Sequence, residues 1–273
     1  MKKTWNRLII ICFVLLALMA CAAIFVLMPY YNEYKVFDGI EAGQWTDVKK
    51  SYEALDGKRQ KEVQEMLPAY AKHICLEYQT GEKDYIYTVA AYDAINSIDE
   101  TKDICTKYNT LVNRMEYRDA IEQIYNSNQN YNNEESVKAN ETIRNINLRL
   151  DADTKKEVVI EVLNEKYQQF LAQEITLETL NSYLAIINNA APADAVEYAS
   201  VIANNAQVVQ EYRQMYATAQ NAYDTGDYFT AVNICQTVKI DPMDKTYIDK
   251  FYSLYELSYT TGMNYYDSLL DNY

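Results

Sequence analysis

Few side chains in this sequence could carry out catalytic chemistry. The 273 residues include one histidine, His73, which lies beside Tyr70 and Ile74 on an apolar helical stripe. A lone histidine with no histidine or cysteine close to it supports neither a multi-histidine metal site nor Ser/His/Asp or Cys/His machinery. The sequence therefore predicts no enzyme of those classes and no cofactor.

Paired carboxylates are the remaining residues that could serve acid–base chemistry. Two such groups could hydrolyse a glycosidic bond, but their spacing in sequence is equally typical of solvated turns. Asp151 and Asp153 do not begin a calcium loop, because Lys156 stands where that loop needs glycine. A cell-wall hydrolase is therefore kept only as a third interpretation, and no metal is expected. The three pairs are Glu134 with Glu135, Asp151 with Asp153, and Asp224 with Asp227.

Tyrosine is strongly over-represented, with 27 residues against six phenylalanines. A tyrosine packs its ring while its hydroxyl reaches water, so half-buried packing between helices is one interpretation. An aromatic face that binds peptide or glycan is the other. Since a terminal repeat has no neighbour to cover it, the candidate partner-binding residues are Tyr255, Tyr259, Tyr265 and Tyr266.

The five cysteines do not form a recognisable framework. Cys12 and Cys21 lie in an apolar segment, which leaves Cys75, Cys105 and Cys235 in the rest of the chain. Three scattered cysteines suit neither a disulfide scaffold nor a zinc site, both of which need even or clustered sets. We expect small buried side chains at these positions, with a bridge between Cys75 and Cys105 as the alternative.

The charge balance excludes one class of partner. The chain has 39 acidic and 25 basic residues, a net charge of −14. Glu33 is the first acid and three basic residues precede it, so the part after residue 32 carries a net charge of −17. Binding to nucleic acid needs clustered lysine and arginine and is not expected. We interpret the acidity as a source of solubility, with a preference for basic partners or cations as the alternative.

An apolar segment that begins at Leu8 and ends at Met28 dominates the N-terminus. Its 21 residues include no charged side chain, and as a helix they extend about 31 Å, enough to cross a lipid bilayer. Lys2, Lys3 and Arg7 precede the segment, which places the first seven residues in the cytoplasm and the remainder outside. The prediction is a single-pass signal-anchor in the cell membrane.

A lipoprotein is the alternative for this segment. Leu18-Met19-Ala20-Cys21 resembles a bacterial lipobox, in which the cysteine becomes the lipidated first residue. Residues 22–28 remain apolar where a lipoprotein normally starts a polar tether, which favours the uncleaved anchor. In both cases the domain that follows is extracytoplasmic.

Composition and periodicity predict helix almost everywhere else. Six glycines and four prolines in 273 residues leave long runs of helix-forming residues. Apolar side chains recur every three or four positions, which indicates roughly a dozen short helices and no strand. Pro68 predicts a kink or a restart of the helix, and Thr154 with Glu157 predicts a capping box at the start of a helix.

One local change in composition suggests a boundary. Residues 126–136 are rich in asparagine and serine, whose side chains compete with helical hydrogen bonds. We predict an exposed loop there, between a first helical-repeat segment at residues 29–125 and a second at residues 137–273.

Glycines mark a weak repeat. Gly43 and Gly81 are 38 residues apart, each shortly before an aromatic residue that starts a new apolar stripe, and Gly226 repeats the pattern. The segment that begins at Met215 and ends at Pro242 resembles a tetratricopeptide repeat. The residues that carry the resemblance are Ala219 in the first helix, the turn at Gly226, Ala231 in the second helix and the exit turn Asp241-Pro242.

The resemblance, clearest over residues 212–245, implies an array of helical pairs with a concave groove for peptides or partner proteins. We therefore predict an all-α, tetratricopeptide-like solenoid behind one N-terminal transmembrane helix. Its predicted function is to bind or scaffold envelope or membrane proteins in a bacterial cell envelope. The alternative is a module that binds cell-wall or other polysaccharide through tyrosine-rich surfaces.

Overall fold

A computed structural model describes residues 28–98, 101, 103–190, 193–238 and 245–270, together with Leu15, Leu18 and Met19. Every long regular element in these ranges is an α-helix and none is a strand, which confirms the predicted all-α class. The helices are α1 (Met28–Glu41), α2 (Trp45–Glu53), α3 (Gly57–Gln79), α4 (Tyr85–Asn96), α5 (Thr106–Gln129), α6 (Asn133–Asn147), α7 (Ala152–Leu171), α8 (Leu177–Ala190), α9 (Ala193–Asp224), α10 (Tyr228–Thr237) and α11 (Lys245–Leu270).

The predicted membrane anchor lies almost entirely outside the described residues. Of its positions only Leu15, Leu18, Met19 and Met28 are described, and each is helical with more than half of its surface exposed. No helix among the described residues has the length and apolar character needed to cross a bilayer. The anchor and the alternative lipidation site at Cys21 therefore remain predictions.

Helices α1 to α10 form five successive helix–turn–helix pairs. In each pair the first helix ends with the same backbone motif. One residue adopts a left-handed conformation, and the N–H of the next residue bonds the carbonyl five positions back at 2.8 or 2.9 Å. This is the Schellman motif, which satisfies carbonyl groups left open at a helix end. The left-handed residues are Gly43, Gly81, Tyr131, Gln173 and Gly226.

Short polar caps start the second helix of four of these pairs. Asn132 and Asp227 follow their left-handed residues directly, whereas Asp84 and Thr176 come three positions later. Each side-chain oxygen accepts a hydrogen bond from the backbone N–H three residues on, at 2.7 to 3.3 Å. The turns are thus specified locally by a left-handed residue and a cap.

The asparagine-rich segment contains more helix than its composition predicts. Helix α5 continues to Gln129 and α6 begins at Asn133, so only residues 130–132 of the predicted loop at 126–136 form the turn. The physical reason is that Tyr131 closes the Schellman motif while Asn132 caps α6, so the two helices need no longer connection.

Helix α3 runs through Pro68 for 23 residues, so the helix does not restart there. One other local prediction was wrong. Helix α7 begins at Ala152 rather than after a capping box at Thr154, because Asp151 accepts a hydrogen bond from the Thr154 N–H at 2.8 Å and acts as the N-cap.

The described chain divides into two compact units. The first contains the residues up to Asp119 together with Arg144–Leu150, and the second contains Ala120–Ile143 and the residues from Asp151 onward. These boundaries fall inside α5 and α6 rather than at the asparagine-rich turn.

In the first unit, α1 packs against α2 and α4, and α3 packs against α4. Tyr92 is fully buried at the centre of this core, where its hydroxyl donates to the carbonyl of Ala71 at 3.2 Å. Cys75 and Cys105 are buried free thiols, as the apolar spacing predicted, and they are not bridged. Burial raises the pKa of Cys105 to about 12, so this thiol is not a nucleophile near neutral pH.

In the second unit, α9 packs against α7, α8, α10 and α11. Ala219 and Ala231 are fully buried, as predicted for small residues where paired helices approach closely. Gly262 lets α11 approach α10, because a Cβ atom there would lie 2.9 Å from Cβ of Tyr228. The exit turn predicted at Asp241-Pro242 lies outside the described residues.

Candidate functional site

Helix α11 is held by one buried face. Phe251, Leu254 and Ser258 are at most 3% exposed, Tyr247 is nearly as buried, and Gly262 extends the same face towards Tyr228 of α10. The spacing of three and four residues is that of a single helical face. This packing determines which side of α11 is turned to solvent.

The solvent side carries a row of large apolar side chains, which we call the C-terminal stripe. Its members recur at intervals of seven, four, three and four residues, so they share one face of the helix. Tyr252 is 67% exposed and Leu270 is 73% exposed, and the others are exposed by about half. The stripe consists of Tyr252, Tyr259, Met263, Tyr266 and Leu270.

The four tyrosines predicted from sequence form two pairs, Tyr255 with Tyr259 and Tyr265 with Tyr266, whose rings meet edge-on at 5.4 Å. Tyr259 and Tyr266 belong to the stripe. Tyr255 is half-buried beside it and stacks on Tyr259, with ring centroids 6.1 Å apart and planes 17° apart. Tyr265 lies about 100° further round the helix than Tyr266 and packs edge-on against Tyr228 at 6.1 Å. Tyr265 therefore anchors α11 to α10.

Three stripe residues were not predicted from the sequence: Tyr252, Met263 and Leu270. A signal was present, because Tyr252, Tyr259 and Tyr266 recur every seven residues. Seven residues are close to two helical turns, so this spacing alone places the three tyrosines on one face.

A groove of about 550 Å³ lies between α10 and α11, next to the stripe. Its walls are apolar and aromatic, and Tyr252 and Tyr255 are shared between the groove and the edge of the stripe. Burial raises the pKa of the Cys235 thiol in this groove, which keeps it protonated and unreactive near neutral pH. The other lining residues are Gln236, Val238, Ile248 and Phe251.

The charged residues along most of the stripe are acidic. Residues 251–270 include Glu256 and Asp267 and contain no lysine or arginine, whereas Lys245 begins α11 seven residues before Tyr252. Elsewhere in the chain cations lie over aromatic rings, for example Arg59 at 3.9 Å from the ring centroid of Tyr30. Among the described residues none of these cation–ring contacts involves the stripe. The rings of Tyr259 and Tyr266 are thus half-exposed, and no cation lies over them in the described part of the chain.

The acidic pairs considered for hydrolysis are engaged at helix ends. Asp151 accepts from both the N–H and the hydroxyl of Thr154 at 2.8 Å, and Asp227 caps α10. These hydrogen bonds hold the pKa values of Asp151 and Asp227 below the usual range. Glu134 pairs with Lys138 at 2.9 Å. Asp151, Asp227 and Glu134 thus make contacts that stabilise helices.

His73 has no catalytic neighbourhood. Its side chain is 63% exposed, and Nε2 lies 3.6 Å from Oε1 of Glu77, one turn along α3. In the part of the chain that the structure describes, no group of three or more histidine, cysteine, aspartate or glutamate side chains could hold a metal ion.

Comparison with protein-family models, curated protein sequences and solved structures found no match to this chain. The tetratricopeptide resemblance therefore rests on the residues quoted above and on the five helix pairs. Function has to be inferred from the surfaces of the chain itself.

Proposed function

We propose that this chain is a membrane-anchored, extracytoplasmic helical-repeat protein that binds or scaffolds other proteins in a bacterial cell envelope. The observation that carries the proposal is the C-terminal stripe. It is a contiguous row of tyrosine, methionine and leucine on the last described helix, with no part of the described chain over it. Exposed apolar rows of this kind mark sites of association.

The shape of the stripe suits a helix of the partner. From Tyr252 to Leu270 it extends about 27 Å along α11, which is the length over which two helices commonly pack. Tyrosine and methionine are enriched in the centres of protein interfaces, and tyrosine is a frequent hot-spot residue. An amphipathic helix would bury the stripe along its whole length.

The acidic residues beside the stripe indicate which side chains the partner helix should carry along its polar edges. Because Glu256 and Asp267 flank the stripe and no lysine or arginine occurs from residue 251 to residue 270, lysine or arginine on the partner would be attracted. The same cations could lie over the exposed parts of the Tyr259 and Tyr266 rings, each contact contributing about 0.5–1 kcal/mol at an exposed site. The proposed partner segment is therefore an amphipathic helix with basic edges.

The repeat type and the location are further parts of the proposal. Five helix pairs with identical first-helix endings support an array of one repeat type, which we propose to be tetratricopeptide-like. The apolar segment that ends at Met28 supports a membrane anchor and, with it, envelope or membrane proteins as partners. The acidic chain supports the absence of nucleic acid among them.

Crosslinking in intact cells tests this function. The full-length protein is crosslinked and purified, and the co-purifying proteins are compared for the wild type and the Tyr259→Ser/Tyr266→Ser variant. Tyr131→Ser is the control, since Tyr131 is 91% exposed in the turn between α5 and α6.

We expect a small set of envelope proteins that is lost in the stripe variant and kept in the control. An identical set in the stripe variant, or no specific protein in the wild type, would overturn the proposal.

A further inference from the structure

A second groove in the second unit has an unusual lining. It lies between α5, α6 and α8, has a volume of about 350 Å³, and has no charged side chain among its ten lining residues. This is notable in a chain of which 23% is charged. Six of the ten residues carry neutral amide or hydroxyl groups: Asn128, Gln129, Ser136, Asn140, Ser182 and Asn189.

The aromatic residue of this groove is rigidly supported. Tyr125 stacks flat on Tyr183, with ring centroids 4.3 Å apart and planes 17° apart. The Tyr183 hydroxyl donates to Oε2 of Glu122 at 2.6 Å. Lys166, only 9% exposed, lies 2.8 Å from Oε1 of Glu122 and 4.6 Å from the Tyr183 ring centroid. A partly buried ion pair thus holds Tyr183, on which Tyr125 stacks.

Internal hydrogen bonds position part of the polar lining. The Ser136 hydroxyl donates to Oδ1 of Asn128 at 3.4 Å, and Nδ2 of Asn140 donates to the Ser136 carbonyl at 2.7 Å. Within the described residues, this leaves Nδ2 of Asn128 as a donor and Oδ1 of Asn140 as an acceptor without partners. Gln129 and Asn189 add complete amide groups with both functions.

We propose that this groove binds a short segment of a neutral oligosaccharide. Amides donate and accept at once, as sugar hydroxyls do, so the two kinds of group are complementary. The lack of charge matches an uncharged ligand, and Tyr125 offers an aromatic surface to the C–H face of a sugar ring. The volume is near the lower end of the range of about 300–1,000 Å³ for small-molecule sites.

An extended peptide is the main competitor for such a groove. Peptide grooves usually take the main chain along a sheet edge or hold apolar side chains in pockets. Here six of the ten lining residues carry neutral polar groups, none is charged, and the aliphatic residues are limited to Ile124, Ala185 and Ile186. This distribution favours sugar hydroxyls, and it is independent of the C-terminal stripe.

Binding of defined oligosaccharides tests the inference. The full-length protein is purified in a detergent without a sugar headgroup and titrated calorimetrically with three probes. The probes are the β-1,4-linked tetramer of N-acetylglucosamine, the corresponding glucose tetramer, and a neutral Gly/Ser/Asn octapeptide. The groove variant is Gln129→Ala/Asn140→Ala, and the control is Asn221→Ala, an exposed amide on α9.

We expect saturable binding of at least one tetrasaccharide, with a dissociation constant of about 1 mM or tighter. The groove variant should bind at least about tenfold more weakly, which is 1.4 kcal/mol, and the control should bind like the wild type. Gln129 and Asn140 are exposed, so both variants should keep the thermal midpoint of the wild type. Absence of saturable sugar binding, unchanged binding in the groove variant, or tighter binding of the peptide would overturn the inference.

Discussion

The hydroxyl of Tyr78 on α3 donates a hydrogen bond of 2.6 Å to Oε2 of Glu116 on α5. The same kind of contact joins Tyr70 to Glu41 at 2.8 Å, and Tyr183 to Glu122. In each case the ring packs between helices while the hydroxyl holds a carboxylate of another helix. These contacts give a physical reason for using tyrosine rather than phenylalanine in an acidic helical protein.

The first prediction concerns the pH dependence of stability at Glu116. Burial raises the pKa of this carboxyl above its ordinary value, although the Tyr78 hydroxyl acts in the opposite direction. The folded state thus binds the proton more tightly than the unfolded state, and this contribution to stability is lost as the pH rises through the folded-state pKa. Glu116→Gln removes the charge and keeps an acceptor for Tyr78.

We expect Glu116→Gln to be more stable than the wild type at pH 7, with a smaller difference near pH 4. Urea unfolding at a series of pH values measures it. Tyr78→Phe is the companion variant and should lower stability at pH 7, because the buried carboxylate loses its donor. A difference for Glu116→Gln that is the same at both pH values would contradict the explanation.

The second prediction compares two buried serines. The Ser258 hydroxyl is buried between α11 and its neighbours with no hydrogen-bond partner among the described residues. The Ser127 hydroxyl is equally buried but donates to the Ile124 carbonyl at 3.0 Å. Ser258→Ala should raise the free energy of unfolding by about 1 kcal/mol, and Ser127→Ala should lower it by a similar amount. Thermal or urea unfolding measures both, and changes of the same sign would count against this assignment.

The third prediction tests the turns between paired helices. Gln173 is exposed and has a left-handed conformation with φ of 62°, which is unfavourable for any residue with a Cβ atom. Gln173→Gly should stabilise the protein by about 0.5–1 kcal/mol. Gly81→Ala should destabilise it, and Gly43→Ala should do so more strongly, because the added methyl would lie 2.7 Å from Cβ of Ala90. Equal losses for the two glycine variants would show that the Ala90 contact does not constrain the turn.

These turns also show what the sequence could reveal about the fold. Glycine marks the turns at Gly43, Gly81 and Gly226, and the repeat was recognised there. The same backbone motif at Tyr131 and Gln173 is carried by residues that give no left-handed signal, so the sequence shows no repeat at these two turns. The Schellman hydrogen bonds, visible only in three dimensions, hold these two residues in place.

The two candidate sites also differ in how far the sequence alone could predict them. Local spacing on α11 is enough to place Tyr259 and Tyr266 on one face, whereas the contact of Tyr265 with Tyr228 depends on how α10 packs. The amide groove could not be predicted, since α5, α6 and α8 bring together side chains up to 65 positions apart, from Ile124 to Asn189.

The fourth prediction tests the charge of the partner. Glu256→Lys places a positive charge beside the stripe and should lower the amount of co-purifying partner at least about fivefold, roughly 1 kcal/mol. Glu53→Lys on α2 changes the net charge by the same amount at an exposed position far from Glu256 in the sequence. This control variant should have no effect on capture. Raising the salt concentration to about 0.5 M should weaken capture by the wild type, because exposed charges are screened. A loss of partner with both variants would point to net charge instead of the flank of the stripe.

A photo-crosslinking scan along α11 in intact cells, with the reactive residue placed at one position at a time, shows directly whether the C-terminal stripe binds the partner. We expect strong crosslinks to the same partner at Tyr252, Tyr259, Met263 and Tyr266. We expect weak ones at Thr260 and Asn264, which are exposed on other faces of the helix. Crosslinks of equal strength at all six positions, or strong ones only at Thr260 and Asn264, would contradict the claim that the C-terminal stripe is the binding surface.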